Sequence, residues 1–95
     1  MTEPVLSGLT LDAVQAEATR AYHQHGRHSM LGGANSETDR LAILTEEIGE
    51  VAHELDEYRL GNRDDDDWKA RRVKELIQVA AAALSWVEHL EGHRP

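Results

Sequence analysis

Apolar side chains in the middle of this chain recur at steps of three and four residues, the spacing that keeps them on one face of an α-helix. The series runs Leu41, Leu44, Ile48, Val51, Leu55 and Tyr58. It predicts a helix near residues 38–60 that is capped by Ser36 or Thr38. No stretch of the chain alternates apolar and polar residues as a β-strand does, so the sequence predicts an all-α fold.

Another helix is predicted near residues 10–25, after a loose start over residues 1–8 that contains a proline and a glycine. Thr10 is expected to cap this helix, because Thr is a favoured N-cap residue, and Gly26 is expected to end it. The segment that follows, residues 26–37, is rich in Gly and in small polar residues. It is typical of a loop, and it is a candidate cover for a ligand.

The last helix is predicted near residues 66–91. The acidic run from Asp64 to Asp67 is expected to form a turn and the start of this helix, because the helix dipole favours negative charge there. Between Val79 and Val87 the helix is apolar on nearly every side, and a helix of that kind is buried on every side. Two other helices can hardly enclose it, so we expect a partner chain to cover it.

The composition indicates the same need for a partner. The chain has 95 residues, no Phe and only 4% aromatic residues, so Leu, Val, Ile and Ala must form a small core. Short chains with a thin core are often completed by self-association. We therefore expect one domain over residues 1–95, a helical bundle that is completed in a homodimer or a homotetramer.

Charge and cysteine content exclude several classes of protein. Lys and Arg total 10 against 18 Asp and Glu, a formal net charge of −8, which argues against non-specific binding to nucleic acid. The absence of Cys excludes disulfides and thiolate-bound zinc. No long apolar run indicates a signal peptide or a membrane span, so a cytoplasmic protein without membrane contact is the expectation.

The predicted middle helix carries a row of carboxylates beside its apolar stripe. Glu46, Glu47 and Glu50 are neighbours at spacings of three and four residues, and Glu54 continues the row. No Lys or Arg lies between residues 41 and 58 to relieve the repulsion, which costs a few tenths of a kcal/mol per pair. The row is either a solvated helix face or a site that holds something positive.

Glu75 and Gln78 on the last helix repeat the spacing of three residues. Two antiparallel helices that each offer such a pair form a compact cage of oxygen atoms, as in the metal sites of helical bundles. Oxygen ligands suit Mg²⁺, with Mn²⁺ as an alternative, and Mg²⁺ often shares its coordination with phosphate groups. The pattern thus indicates how an acidic chain can bind a nucleotide.

The sequence EEIGE over residues 46–50 resembles the E-E-x-x-E motif of the MazG-like nucleoside triphosphate pyrophosphohydrolases. The sequence ELIQ over residues 75–78 lies where this family has its E-x-x-D motif, and the similarity extends over roughly residues 9–90. The resemblance implies an all-α domain that pairs its helices into four-helix bundles as a dimer or tetramer. It also implies Mg²⁺-dependent hydrolysis of a nucleoside triphosphate to the monophosphate and pyrophosphate.

Carried over residue by residue, the resemblance assigns roles to five side chains. The implied metal ligands are Glu47, Glu50, Glu75 and Gln78, and the implied catalytic residues are Glu46, Glu47, Glu50 and Glu75. Glu46 would be a further ligand or would orient the attacking water. Gln78 stands where the family has aspartate, and an amide oxygen brings neither charge nor a base.

The loss of that charge leaves other functions open. One is a nucleotide-binding or regulatory relative without turnover, and another is a helical oligomerisation module. Within the superfamily, a phosphoribosyl-ATP pyrophosphatase is disfavoured by the extended first helix and its loop.

Candidate contacts to the substrate lie at the start of the last helix. Lys69, Arg72 and Lys74 belong to the one dense cationic cluster of the chain, which either binds phosphate or is ordinary surface charge. Trp68 either stacks on the base or anchors a turn.

Overall fold

The computed structural model describes residues 3–92 and contains, within that range, three α-helices and no strand. The helices are α1 (Gly8–His25), α2 (Glu37–Arg59) and α3 (Asp65–Glu91). The prediction of an all-α fold is therefore confirmed. Helix α3 packs against both other helices, whereas no Cα atom of α1 comes within 8 Å of α2 in the described part of the chain.

The helix starts are set by side chains that accept backbone hydrogen bonds. The Ser36 hydroxyl accepts from the Asp39 N–H at 3.1 Å, and the Asp39 carboxylate accepts from the Ser36 N–H at 3.0 Å, so Ser36 is the cap of α2 as predicted. The prediction that Thr10 caps α1 is wrong. Thr10 lies inside the helix and donates its N–H to the hydroxyl of Ser7, 3.1 Å away, because Ser7 has the extended backbone of a cap.

The acidic run at the start of α3 has the predicted structural role. Asp64 is the N-cap, and its carboxylate accepts from the Asp67 N–H at 2.8 Å. The remaining three aspartates form the first turn, where they interact favourably with the helix dipole. These carboxylates are therefore accounted for by the helix start itself.

Helices α2 and α3 run antiparallel and are joined at both ends by hydrogen bonds. The indole N–H of Trp86 donates to Glu37 at 2.6 Å, and the Tyr58 hydroxyl donates to Asp65 at 2.7 Å. The middle of α2 consequently lies beside the middle of α3. This pairing brings the carboxylate row of residues 46–50 near Glu75 and Gln78.

The connection between α1 and α2 is folded around a buried arginine. Arg40 is 0% exposed, and its guanidinium donates to the backbone carbonyls of Met30 and Gly32. The Ser29 hydroxyl donates to the Gly26 carbonyl at 2.7 Å and accepts from the Gly32 N–H at 3.1 Å. The segment predicted as a loop is thus a fixed wall with its own hydrogen bonds.

The chain on its own is more open than a compact monomer. Its accessible surface is 6947 Å², whereas a monomer of 10.6 kDa exposes about 5,500 Å². Its radius of gyration is 15.0 Å, against about 12 Å for a compact chain of this length. Within the described residues the buried apolar side chains are Val14, Met30, Ala81 and Ala82.

The predicted apolar stripe of α2 is only partly covered by the rest of the chain. Leu41, Ile48 and Leu55 are 56%, 52% and 47% exposed. On α3, Leu84 and Val87 are also about half exposed, although the sequence places them in the segment expected to be buried on every side. A single chain therefore leaves uncovered much of the surface that the sequence predicts as core.

Gly32 gives a direct test of the folded connection. A Cβ atom at this position would lie 2.3 Å from the carbonyl oxygen of Arg27, so the backbone must shift to accept it. We expect Gly32→Ala to lower the free energy of unfolding by about 1–3 kcal/mol, measured by urea denaturation. Gly33→Ala is the matched control, because a Cβ there meets nothing within 4 Å. Equal stability of the two variants would show that the connection is not packed as described.

Candidate functional site

A cleft of about 430 Å³ lies between α1, the α1–α2 connection and α2, with α3 as its floor. Small side chains of α3, such as Ala81 and Ala82, leave the space open. The charged and amide side chains that line the cleft, histidine aside, are Glu17, Arg20, Glu46, Glu47, Glu50 and Gln78. The cleft therefore collects acidic groups from two helices and a polar group from the third.

Glu47 is the half-buried member of the row on α2, and Glu46 and Glu50 beside it are exposed. Burial raises the pKa of Glu47, and the negative charges of Glu75, Glu50, Glu46 and Glu17 raise it further, in that order. Carboxylates on all three helices therefore contribute to the raised pKa of Glu47. A cation between them would relieve the repulsion.

Glu75 approaches the same group from α3, although it does not contribute to the cleft lining. Burial raises the pKa of Glu75, and the charge of Glu50 raises it further, while Lys74 and Arg71 partly oppose the shift. The Oε2 atom of Glu75 is buried and has no hydrogen-bond partner among the described residues. A buried carboxylate oxygen without a partner is costly, which makes it a candidate ligand for a cation.

The predicted ligands gather in one region without forming a finished metal site. Glu47, Glu50 and Gln78 line the cleft, and Glu75 lies close enough to raise the pKa of Glu47. Within residues 3–92, however, no three side chains of His, Cys, Asp or Glu are arranged to hold a metal ion.

None of the predicted substrate contacts lines the cleft. Trp68, Lys69, Arg72 and Lys74 are not part of its lining. The ring of Tyr58 stacks on Trp68 at 3.8 Å between centroids, and the Arg72 guanidinium lies 3.6 Å from the Trp68 ring centroid. Both faces of the indole are therefore occupied, and a base could stack there only by displacing one neighbour. Substrate binding by these four residues stays a prediction.

Of the predicted substrate contacts, Lys74 is the one whose charge acts on the carboxylates at the cleft. It lowers the pKa of Glu75 and also that of Glu17, the latter mainly lowered by its hydrogen bond to Arg20. A cation that interacts with two of the site carboxylates is suited to balance their charge.

Glu54 differs from the rest of the acidic row because it forms an ion pair with Arg63. Its carboxylate accepts from Arg63 at 3.1 Å, and this hydrogen bond is the main reason that the pKa of Glu54 is lowered. Arg71, 4.0 Å away, contributes to the same shift. Glu54 therefore has cationic partners, although its charge also contributes to the raised pKa of Glu75, after burial and the charge of Glu50.

Helix α1 also contributes to the cleft, which was not predicted from the sequence. Arg20 donates from Nε and Nη2 to the two carboxylate oxygens of Glu17, at 2.8 and 2.6 Å, and from Nη1 to Gln24. The available signal was the spacing of these polar residues at three and four positions, beside the small residues Ala18 and Ala21. Such a strip is also common on solvated helices, so the sequence alone did not single it out.

Comparison of the chain with protein-family models, with curated proteins and with solved structures gives no match. Among residues 3–92, none of the helices is both long and apolar enough to cross a membrane. The family resemblance of residues 46–50 and 75–78 therefore supports a proposal of function and does not establish membership of the family.

Glu47 and Glu54 provide opposite tests of the electrostatics. Because the folded chain raises the pKa of Glu47, protonation of this group stabilises the fold at acid pH, and that stability is lost as pH rises through the raised pKa. Glu47→Gln should therefore raise the free energy of unfolding at pH 7 in metal-free buffer by a few tenths of a kcal/mol. The gain should shrink towards zero below about pH 3, where the carboxyl is protonated in both states.

Glu54→Gln is the matched control on the same helix. Because its pKa is lowered in the folded chain, its ion pair stabilises the fold above the ordinary carboxyl pKa, and this contribution is lost as pH falls. The variant should therefore have a lower melting temperature than the wild type at pH 7. A loss of stability in both variants at pH 7 would contradict the repulsion described for Glu47.

Proposed function

We propose that the chain is a MazG-like nucleoside triphosphate pyrophosphohydrolase that uses Mg²⁺, or Mn²⁺, and acts as a homodimer or homotetramer. The observation that carries the proposal is the meeting of the two motifs. The carboxylates of residues 46–50 line a cleft together with Gln78, and Glu75 raises the pKa of Glu47 from the facing helix. Two segments about 25 residues apart thus lie in one region, and this proximity supports the proposal.

The donor set fits a hard divalent cation. Glu47, Glu50 and Glu75 would hold it through carboxylate oxygens, and the unpartnered Oε2 of Glu75 is a free ligand atom. The amide oxygen of Gln78 would complete the set without adding charge. When bound, Mg²⁺ would neutralise the phosphate groups and increase the acidity of a water molecule.

The residues of the chain would then position the reaction. Glu46, exposed at the edge of the cleft, would orient the water that attacks the α-phosphorus. The fixed wall contributed by Ser29, Met30 and Leu31 would bound the nucleotide on the opposite side. Attack at the α-phosphorus breaks its bond to the bridging oxygen and releases pyrophosphate.

Self-association is supported by the uncovered apolar surface. The single chain exposes about a quarter more area than a compact monomer of its mass, and the surplus of roughly 1,500 Å² exceeds the area of about 800 Å² that each partner buries in a standard interface. The exposed halves of the α2 stripe and of α3 would supply a four-helix interface.

Gln78, which stands where the family has aspartate, favours one of the alternative functions. With one negative charge fewer than the four-carboxylate arrangement of the family, the cleft would hold fewer metal ions, and the chain would bind a nucleotide with slow turnover or none. The helical oligomerisation module is the second alternative. It would use the apolar surface and leave the cleft without a ligand.

The primary test is release of pyrophosphate from a panel of nucleoside triphosphates with Mg²⁺ or Mn²⁺. We expect release by the wild type and a loss of at least about a hundredfold for Glu50→Gln, since this change removes a metal ligand. Asp56→Asn is the matched control, because Asp56 lies on the same helix, outside the cleft, in an exposed pair with Arg59. Absence of release with every nucleotide would exclude the enzyme.

Gln78→Asp separates the three candidate functions. Restoring the fourth carboxylate should strengthen Mg²⁺ binding and increase any pyrophosphate release. Thermal shift with Mg²⁺ and nucleotide provides the measurement, because a ligand at a hundred times its dissociation constant adds about 2.7 kcal/mol of stability. An oligomerisation module would show no shift in either protein, and a binder without turnover would show the shift without release.

A further inference from the structure

Arg20 is the only Lys or Arg that lines the cleft within the described residues 3–92. It comes from α1, opposite the carboxylates of α2, and its side chain is about half exposed. The negative charge of Glu47 contributes to a raised pKa of the Arg20 guanidinium, after the larger effect of Glu17. A single arginine thus faces a cleft whose other side chains are acidic, apolar, histidine or uncharged polar, the last being Ser29, Gln78 and Ser85.

The guanidinium is held in a defined orientation by its own helix. Glu17 accepts two of its N–H groups in a bidentate pair, and Gln24 accepts a third. An arginine carries five N–H groups, so two remain free to donate to a ligand. Because Glu17 and Gln24 fix the plane of the fork, less side-chain freedom is lost when a ligand binds.

Phosphate is the ligand chemistry that suits this arrangement. The planar fork of arginine matches the oxygen geometry of a phosphate group better than a lysine ammonium does. A carboxylate ligand would be repelled by the glutamates around it without any compensating cation, whereas a nucleotide polyphosphate would carry its own Mg²⁺. A cation on one side and Arg20 on the other could then share the phosphate charge.

We infer that Arg20 binds the pyrophosphate portion of the nucleotide and that Glu17 and Gln24 hold its guanidinium in place. The inference rests on the proposed function and deepens it by assigning the phosphate contact to α1. It differs from the sequence-based expectation, which placed that contact on Lys69, Arg72 and Lys74.

The test is calorimetric titration of inorganic pyrophosphate, in the presence of Mg²⁺, into the full chain. Arg20→Gln should weaken binding by at least about tenfold, and Arg20→Lys should fall between this variant and the wild type, because it keeps the charge and loses the fork. Arg59→Gln is the matched control, since Arg59 forms an ion pair of the same spacing with Asp56 outside the cleft. Circular dichroism checks that each variant retains the helical content of the wild type.

The outcomes separate the inference from the proposed function. Wild-type binding that Arg20→Gln weakens and Arg59→Gln leaves unchanged supports the inference. Equal binding by the wild type and Arg20→Gln overturns it. A tenfold loss in Lys69→Gln with none in Arg20→Gln also overturns it, and would assign the phosphate contact to the cationic cluster at the start of α3, as the sequence predicted. Absence of pyrophosphate binding by the wild type also overturns it. Failure of the proposed function shows itself separately, as absence of pyrophosphate release from nucleotides by the wild type.

Discussion

The carboxylates that α2 and α3 bring together in a partly buried region are the feature on which the candidate site depends. Burial raises the pKa of Glu47 on α2 and of Glu75 on α3. The charge of Glu75 raises the pKa of Glu47 further, and the charge of Glu50 raises both. Packing α2 against α3 through Trp86 and Tyr58 forces these charges together. Placing partly buried carboxylates together costs stability, and a cation bound between them would remove that cost.

The local features of the fold were readable from the sequence because they depend on neighbouring residues. The stripe from Leu41 to Tyr58 predicted α2. Ser36, one of its two predicted caps, forms its capping hydrogen bonds with Asp39, only three residues away. The acidic run at Asp64 was predicted from the helix dipole, and the structure adds a capping hydrogen bond from the Asp67 N–H to the Asp64 carboxylate. Thr10 was misplaced as a cap because Ser7, with an equally suitable side chain, lies three residues earlier.

The candidate site was predictable only for side chains that lie in the two sequence motifs. Residues 46–50 and 75–78 were singled out from spacing, and the antiparallel pairing of α2 and α3 brings them together. The contributions of Arg20 and of the wall held by Arg40 depend on contacts between distant segments, which no local pattern specifies. Arg40 in particular is a charged residue at the start of a helix, and nothing in its neighbourhood indicates complete burial.

The most direct test of a shared cation site is line broadening of backbone amide resonances by substoichiometric Mn²⁺, because its unpaired electrons broaden a resonance more strongly the closer it lies. We expect the strongest broadening around Glu47, Glu50, Glu75 and Gln78, with the effect reduced in Glu75→Gln. The acidic start of α3 around Asp64 is the internal comparison, since its carboxylates already cap a helix. Broadening centred on that turn, or spread evenly over the acidic surface, would contradict the account.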